Sequence, residues 1–341
     1  MPSAADDVRR AIDARGGAIR FDEFVTIALY GEHGFYTRRD HPGRAGRRGD
    51  FLTSPEVGPL FGAVIARALD MWWDELDCPD PFVVVDVGAG PGTLARSVLA
   101  ARPACAGALR YVAVEVSASQ RELHPDGVES RVDMPQAGFS GVVIANELLD
   151  NLPFRLFVFD GEWREAYVVA DGERFVERLY TASPLPSCLP ATAALGSRVA
   201  VQDAAASWVT NALGLLTAGR VVAIDYCTST SSMAVRPWRE WLRTYAAHGR
   251  GSHYLSAVGD QDVTVEVAID QLPEPESVST QAEFLRRFGV ETLVDEGRSE
   301  WKRAASAPNL AALTMRSRVR EGEALLDPDG LGGFSVLEWR R

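Results

Sequence analysis

The chain has 341 residues, 46% of them hydrophobic, which is enough for a large buried core. Its net charge of −12 argues against sequence-independent nucleic-acid binding, which rests on basic surface. The four cysteines are far apart, and neither they nor the five histidines have metal-ligand spacing. No signal peptide or membrane-spanning apolar run is recognisable. We therefore expect a cytoplasmic protein with no metal and with neither nucleic acid nor membrane as a partner.

The first eighty residues are predicted to form helices and a loop. Apolar residues at helical spacing predict helices over 8–14 and 20–29. The basic stretch 38–48 is interpreted as a solvated loop, with a lid that meets an acidic ligand as the alternative. Ser54 can cap a helix that has Pro55 at its first position and runs to about residue 76.

The most informative pattern is a strand followed by a glycine turn and a helix. The valine-rich run 82–87 is typical of a strand buried on both faces of a parallel sheet, and helical spacing begins at residue 94. Gly88, Gly90 and Gly92 lie between them. Glycines there let the bare backbone approach a ligand at the strand end, beside the free N–H groups of the next helix.

The spacing of these residues discriminates between ligands. A dinucleotide fingerprint would place its third glycine at position 93, where this chain has Thr93. Asp86 precedes the first glycine, and Glu115 ends the next apolar strand, 111–116. An acid at that strand end can accept hydrogen bonds from both hydroxyls of a ribose. An NAD(P) oxidoreductase is therefore disfavoured, although another nucleoside ligand fits.

The remaining elements complete an open α/β sheet with insertions. A buried fourth strand over 141–145 ends at Asn146 and Glu147, which places both beside the ligand crevice. Alternating polarity predicts antiparallel hairpins over 154–180. The further predicted elements are a helix over 204–216, a fifth strand over 220–225, helices over 238–245, 263–272 and 281–288, and last strands over 290–294 and 334–339.

Several motifs carry a resemblance to a known family. Asp86 and the three glycines resemble motif I of the class I S-adenosylmethionine (SAM) methyltransferases. The chain also resembles the MidA family of these enzymes, formerly the domain of unknown function DUF185, which includes the mitochondrial complex I assembly arginine methyltransferase. The segments that carry this second resemblance are Gly34-Phe35-Tyr36, Gly49-Asp50-Phe51, Thr53-Ser54-Pro55-Glu56-Val57, Phe61-Gly62, Gly88 to Leu94, Glu115-Val116-Ser117, Ala145 to Pro153, Asp225-Tyr226, Leu242 to Tyr245 with His248, Gly259 to Thr264, and Gln281 with Phe284-Leu285.

The resemblance implies a Rossmann-like seven-stranded α/β sheet with an N-terminal helical region and an inserted α+β substrate-side subdomain. The predicted division is an N-terminal helical and lid region over 1–80, a core over 81–153 and 201–341 with a helical insertion at about 232–275, and a hairpin insertion over 154–200. The implied cofactor is SAM, with S-adenosylhomocysteine as its product.

The candidate site residues combine the strand-end reasoning with this resemblance. The cofactor-binding candidates are Asp86, Gly88, Gly90, Gly92, Thr93, Glu115, Val116, Asn146, Thr53 and Ser54. The catalytic candidates are Glu147, Asn146 and Glu56. The substrate-binding candidates are Asp50, Asp150, Tyr226 and His248.

Two departures from the family pattern lie in the later half of the chain. Cys227 stands where the family usually has glycine, and Glu266 and Ala268 stand where the family has histidine and aspartate. The acceptor therefore stays open between a protein arginine and a carboxyl or hydroxyl group of a small molecule. A SAM-binding assembly factor with little turnover is the alternative from outside enzymology. The N-terminal helices could form a homodimer interface.

Overall fold

The structure, a computed structural model, describes residues 2–38, 53–246, 249–304 and 310–341. Its α-helices are α1 Ala4–Ala14, α2 Phe21–Tyr30, α3 Ser54–Val57, α4 Pro59–Glu75, α5 Thr93–Ala101, α6 Ala118–Arg121, α7 Asp203–Leu215, α8 Thr230–Val235, α9 Trp238–Trp241, α10 Gln281–Arg287, α11 Val290–Ala304 and α12 Leu310–Leu326. Its strands are β1 Ile19–Arg20, β2 Phe82–Val87, β3 Leu109–Val114, β4 Glu129–Arg131, β5 Phe139–Asn146, β6 Arg155–Phe159, β7 Trp163–Asp171, β8 Arg174–Thr181, β9 Arg198–Val201, β10 Leu216–Asp225, β11 Cys227–Thr228, β12 Leu242–Ala246, β13 Gly249–Arg250, β14 Asp262–Val265, β15 Val267–Ala268, β16 Ser277–Thr280 and β17 Ser335–Arg340.

The chain forms two compact units, each with its own hydrophobic core. Unit 1 comprises Met1–Arg44, Leu148–Asn211 and Asp225–Glu274, and unit 2 comprises Ala45–Glu147, Ala212–Ile224 and Pro275–Arg341. The division predicted from the sequence separates the N-terminal helices from the hairpin insertion, whereas the structure groups them together in unit 1. The described residues 53–80 belong to unit 2 instead.

Unit 2 is built on a seven-stranded sheet with the order β16-β17-β10-β5-β2-β3-β4. Strands β4, β3, β2, β5 and β10 run parallel, and β16 is antiparallel to β17. All six residues of β2 are buried, because it lies in the middle of the sheet. The predicted α/β class, the number of seven strands in the sheet and the positions of the fourth and fifth strands are confirmed. Parallel pairing brings the ends of β2, β3 and β5 to one edge of the sheet.

Unit 1 contains the predicted antiparallel hairpins. Strands β6, β7 and β8 follow one another, and β1 and β9 extend the sheet to five strands. Two smaller sheets pair β12 with β13 and β14, and β11 with β15. The core of this unit packs the apolar faces of α1 and α2 with residues of the hairpins.

Two helices predicted in the later half of the chain, over 238–245 and 263–272, are wrong. Only Trp238–Trp241 is helical in the first of them, and Leu242–Ala246 is a strand in which Leu242 and Thr244 are buried. The second is replaced by β14 and β15 with a short 3₁₀ turn. Strand β14 is buried at every position because it pairs with β12, so the alternation that marks a half-exposed strand is missing from its sequence.

The predicted strand 290–294 is also wrong, because these residues open helix α11. Val290, Leu293, Val294 and Gly297 are the buried residues of this helix, at the spacing of one helical face. The seventh strand is β16, which alternates half-buried and exposed residues at the edge of the sheet.

The helix predicted from Ser54 to about residue 76 is broken into α3 and α4 at Gly58. A Cβ atom on Gly58 would lie 2.3 Å from the carboxyl carbon of Glu321. The break falls at Gly58-Pro59, where Pro59 opens α4, and Glu321 leaves no room for a side chain at position 58.

Candidate functional site

The glycine turn joins the end of β2 to the start of α5. Gly88, Gly90 and Gly92 have φ angles of 70°, 54° and 75°, in the left-handed region that glycine adopts without a steric penalty. The Gly88 and Ala89 amides both donate to the carbonyl of Val114 on β3, at 2.9 and 3.1 Å. The turn is thus anchored to the neighbouring strand while its outer side stays bare.

Glu115 follows β3 and binds the turn directly. Its Oε2 atom accepts from the Gly90 amide at 2.9 Å, and its Oε1 atom accepts from the Ser117 amide at 2.7 Å. The side chain is buried, and burial raises the pKa of this carboxyl group, while the two amides and Arg121 oppose the rise. The structure brings Glu115 and Gly90 together, as expected from parallel strands that end at one edge.

Asp86 lies beneath the turn on β2 and is 3% exposed. The Tyr111 hydroxyl donates to its Oδ2 atom at 3.1 Å. Burial raises the pKa of Asp86 to about 7, against the opposing hydrogen bond from Tyr111 and with a smaller contribution from Glu115. The Asp86 side chain is therefore held inside the sheet by a contact with β3, and its role in cofactor binding stays a prediction.

Helix α3 contributes the residues of the predicted TSPE motif. Ser54 is fully buried, and its hydroxyl donates to Oε1 of Gln281 at 2.8 Å. The helix begins at Ser54 with Thr53 as its N-cap residue, so the predicted capping role of Ser54 is wrong. Glu56 accepts a hydrogen bond from the Thr93 hydroxyl at the start of α5. The structure thus joins Glu56 to the helix that follows the glycine turn, whereas the Ser54 hydroxyl points to a partner inside the protein.

Asn146 and Glu147 lie at the end of β5, as predicted. The Asn146 amide donates to Oε1 of Glu147 at 3.1 Å, and the Asn146 Oδ1 atom is buried without a hydrogen-bond partner. Glu147 has a φ of 51°, which is unusual for a residue with a side chain, and its amide donates to the carbonyl of Ile224 on β10. Val116, after β3, leaves 43% of its apolar side chain exposed.

His124 contacts the turn and was missed by sequence reasoning. Its Nε2 atom lies 2.9 Å from the carbonyl oxygen of Gly90, and its Nδ1 atom lies 2.9 Å from the Ser130 hydroxyl. The residue belongs to the segment between α6 and β4. No sequence pattern marks it, because it lies on an irregular segment and resembles no motif.

Two of the predicted substrate-binding residues are described, and both lie in unit 1. Asp150 is 3% exposed, and its amide donates to Oδ2 of Asp225 at 3.2 Å. Tyr226 is partly buried, and the Arg243 guanidinium lies 5.9 Å from its ring centroid. The other two candidates, Asp50 and His248, lie outside the described residues.

The cofactor-binding candidates on β2, β3 and β5 lie at the carboxyl edge of a parallel sheet, which is where open α/β sheets bind their ligands. A family model described as "Putative S-adenosyl-L-methionine-dependent methyltransferase" matches residues 64–286. The chain belongs to this MidA-like family of SAM-dependent methyltransferases.

Two solved structures from Burkholderia thailandensis share the fold. One is described as a "likely methyl transferase" bound to S-adenosyl-homocysteine, with a TM-score of 0.82, 25% identity, and coverage of 99% of this chain and 92% of that chain. The second is a native structure of an uncharacterized protein, with a TM-score of 0.80 and 25% identity over 99% of this chain and 91% of that one. The predicted fold class is confirmed.

Curated relatives carry the name of a protein arginine methyltransferase. The mitochondrial NDUFAF7 homologue of Drosophila melanogaster is 30% identical over an alignment of 186 residues that covers 45% of this chain and 41% of the relative. Mitochondrial NDUFAF7 of Homo sapiens is 32% identical over an alignment of 82 residues that covers 22% of this chain and 18% of the relative. The match thus spans well under half the length of these relatives.

The described part of the chain offers neither a metal site nor a membrane-spanning helix. Within it, no group of three or more His, Cys, Asp or Glu side chains could hold a metal ion. Across the same residues, no helix is both long enough and apolar enough to cross a membrane.

Proposed function

We propose that this protein transfers a methyl group from SAM to an acceptor, and that the acceptor is a protein arginine. The observation that carries the cofactor assignment is the bare glycine turn held against Glu115 in unit 2. The named solved relative binds S-adenosyl-homocysteine, which supports the same ligand here.

The donor groups of the site fit an adenosyl ligand. A Cβ atom built on Gly90 has no heavy atom within 4 Å, so the turn borders open space where a ligand can approach the backbone. The buried Oδ1 atom of Asn146 lacks a hydrogen-bond partner and can accept from a ligand N–H or O–H group. The exposed apolar side chain of Val116 offers a surface for a purine ring.

Glu115, Thr93 and Glu56 each have a defined task in this proposal. When bound, SAM supplies a methyl group activated by a sulfonium. Glu115 accepts from the ribose hydroxyls through lone pairs that the amides of Gly90 and Ser117 leave over, since each carboxylate oxygen can accept more than one hydrogen bond. Thr93 and Glu56 fix the start of α5 against α3. Alignment of the reacting groups is the main contribution of such a site to the rate.

The assignment of an arginine acceptor rests on the named relatives and on the carboxylates at the site. A guanidinium stays charged because its pKa is above about 12, so a carboxylate is needed to orient it. Glu147 is the candidate for this task, with Glu56 as its proposed partner. The φ of 51° at Glu147 is consistent with a functional constraint on that residue.

A small-molecule acceptor is the second candidate, and the surroundings of Glu266 favour it. This residue is 9% exposed and accepts hydrogen bonds from Arg236 and Arg243, each at 2.5 Å. The family has a histidine at this position, so an ion-pair cluster here replaces a group of different chemistry in unit 1.

The first test is calorimetric titration of the full chain with SAM, S-adenosylhomocysteine and NADH. We expect micromolar binding of the adenosyl ligands and none of NADH, and we expect Gly90→Val to abolish binding because its side chain fills the open side of the turn. Gly172→Val is the matched control, since Gly172 has a φ of 57° and equally empty surroundings in the hairpin of unit 1. Binding of NADH instead, or equal loss in both variants, would contradict the cofactor assignment.

The second test addresses the acceptor with Glu147→Gln. We expect this variant to bind S-adenosylhomocysteine as the wild type does, but to transfer labelled methyl groups to arginine-containing peptides about a hundredfold more slowly. Labelling of a small carboxylic acid or alcohol by the wild type, with arginine peptides unlabelled, would favour the second candidate. Tight cofactor binding with no turnover on either class of acceptor would favour an assembly factor.

A further inference from the structure

We propose that His124 is a positioning residue of the cofactor site, which holds the glycine turn in its binding conformation through the Gly90 carbonyl. This inference rests on the proposed function, because it concerns the same turn. It assigns a task to a residue that no sequence motif marks.

Two polar contacts hold the peptide groups of Gly90. Its amide donates to Oε2 of Glu115 and its carbonyl oxygen lies 2.9 Å from Nε2 of His124. No heavy atom lies within 4 Å of the position of a Cβ atom on Gly90, and its φ is 54°. That side of Gly90 is therefore not held by packing, and the two polar contacts hold its amide and its carbonyl group, beside the hydrogen bond from the Gly92 amide to the Ala89 carbonyl at 2.9 Å.

Each nitrogen of the His124 imidazole ring makes one hydrogen bond. A carbonyl oxygen only accepts, so Nε2 carries the proton and donates to Gly90, and in the neutral ring Nδ1 accepts from the Ser130 hydroxyl. Burial lowers the pKa of His124, and Arg121 and Arg96 lower it further, against the opposing contact with Gly90. The ring thus bridges the turn to the edge strand β4.

The segment between α6 and β4, which contains His124, packs against the glycine turn and α5. A Cβ atom on Gly92 would lie 2.9 Å from Cδ of Pro125 and 3.2 Å from Cδ2 of His124, so this segment packs closely on the turn. Arg96 of α5 donates to the Leu123 carbonyl at 2.9 Å, which ties the same segment to the helix. The segment before β4 therefore contacts the turn at Gly90, at Gly92 and through α5.

A turn that is fixed before the ligand arrives does not have to be ordered at the moment of binding. Loss of the His124 contact is expected to weaken S-adenosylhomocysteine binding roughly tenfold, which is the usual worth of one hydrogen bond. The rate constant at saturating cofactor should change much less than KM, because the residue touches the turn and not the reacting atoms.

The test compares His124→Ala with His124→Gln, whose amide nitrogen can reach nearly the position of Nε2. The control is His33→Ala, which removes a half-buried histidine that pairs with Asp7 in unit 1. Two measurements are made on the full chain, the Kd for S-adenosylhomocysteine by calorimetry and the deuterium exchange of the Gly90 and Gly92 amides without ligand. We expect the alanine variant to bind roughly tenfold more weakly and to exchange faster at both amides, the glutamine variant to recover most of both, and the control to match the wild type.

Unchanged affinity and exchange in His124→Ala would overturn the inference. If the alanine variant unfolds, the glutamine variant and Ser130→Ala, which leaves Nε2 in place but frees Nδ1, still decide by the same two measurements. Failure of the wild type to bind the ligand would contradict the proposed function. The exchange of the unliganded protein would then still show whether His124 holds the turn.

Discussion

At the scale of single residues, the site combines side chains that the sequence marks with side chains that it does not. Asp86, Glu115 and Asn146 are recognisable because each ends a strand or directly precedes a glycine turn. Their partners are not recognisable, since Tyr111 and His124 act through contacts that appear only when strands are paired and loops are folded. A sequence pattern reports the backbone path, whereas hydrogen-bond partners depend on tertiary structure.

Asp86→Asn should change how stability depends on pH. The pKa of Asp86 is about 7 in the folded chain, above the ordinary 3.8 that applies to the unfolded chain. Between about pH 4 and pH 7 the folded state therefore holds a proton that the unfolded state has lost, so stability falls as pH rises through this range. This loss of stability is complete above pH 7, and it lowers the free energy of unfolding by at most about 4 kcal/mol.

Asparagine cannot ionise and still accepts from Tyr111, so the variant should melt at a higher temperature than the wild type at pH 8 and at nearly the same temperature at pH 4. Thermal melts across this range measure the difference. Tyr111→Phe serves as a second variant, because it removes the hydrogen bond that lowers the pKa of Asp86 and should deepen the loss of stability with rising pH. A difference between wild type and Asp86→Asn that does not vary with pH would contradict the assignment.

At the scale of elements, the local patterns predict what is regular and miss what depends on distant partners. Strand β2 matches its predicted bounds because six buried residues precede a glycine. The strands β12 and β14 were predicted as helices; β14 is buried at every position, so it lacks the alternation that identifies a half-exposed strand, and β12 pairs with it. The break between α3 and α4 falls at Gly58-Pro59, a dipeptide that marks a helix boundary, whereas the contact of Gly58 with Glu321 on α12 could not be predicted because it depends on tertiary structure.

Glu321 stabilises the start of α4 and should be sensitive to substitution. Its side chain is 4% exposed, and its Oε2 atom accepts from the Leu60 amide at 2.8 Å in the first turn of the helix. Glu321→Ala leaves that buried amide without an acceptor, which should lower the free energy of unfolding by about 1 to 3 kcal/mol. Denaturant unfolding followed by circular dichroism measures the loss.

Glu321→Gln keeps an acceptor oxygen and should lose less stability than the alanine variant. Glu323→Ala is the matched control, because Glu323 lies on the same helix but is exposed. Equal effects of Glu321→Ala and Glu323→Ala would show that the loss of a negative charge, and not the loss of the cap, explains the result.

At the scale of the whole molecule, the cofactor candidates and the substrate candidates that the structure describes belong to different compact units. The described cofactor candidates all lie in unit 2, where regular βα geometry determines their place. Asp150 and Tyr226 lie in unit 1, in segments that return to this unit after β5 and β10 of the main sheet. Residues 1–44, 148–211 and 225–274 build one core together, and no local pattern indicates that three such distant segments share it.

This division explains why the cofactor could be predicted more firmly than the acceptor. A ligand held by backbone at a strand end leaves a trace in the sequence, because only glycine tolerates both the φ angles and the close approach. An acceptor held by side chains leaves no such trace, because Asp, Glu and Tyr are equally at home in a core hydrogen bond, as Asp225 shows where it binds the amides of Leu149 and Asp150. Chemical identification of the acceptor therefore has to come from labelling experiments, in which Glu147→Gln separates methyl transfer from cofactor binding.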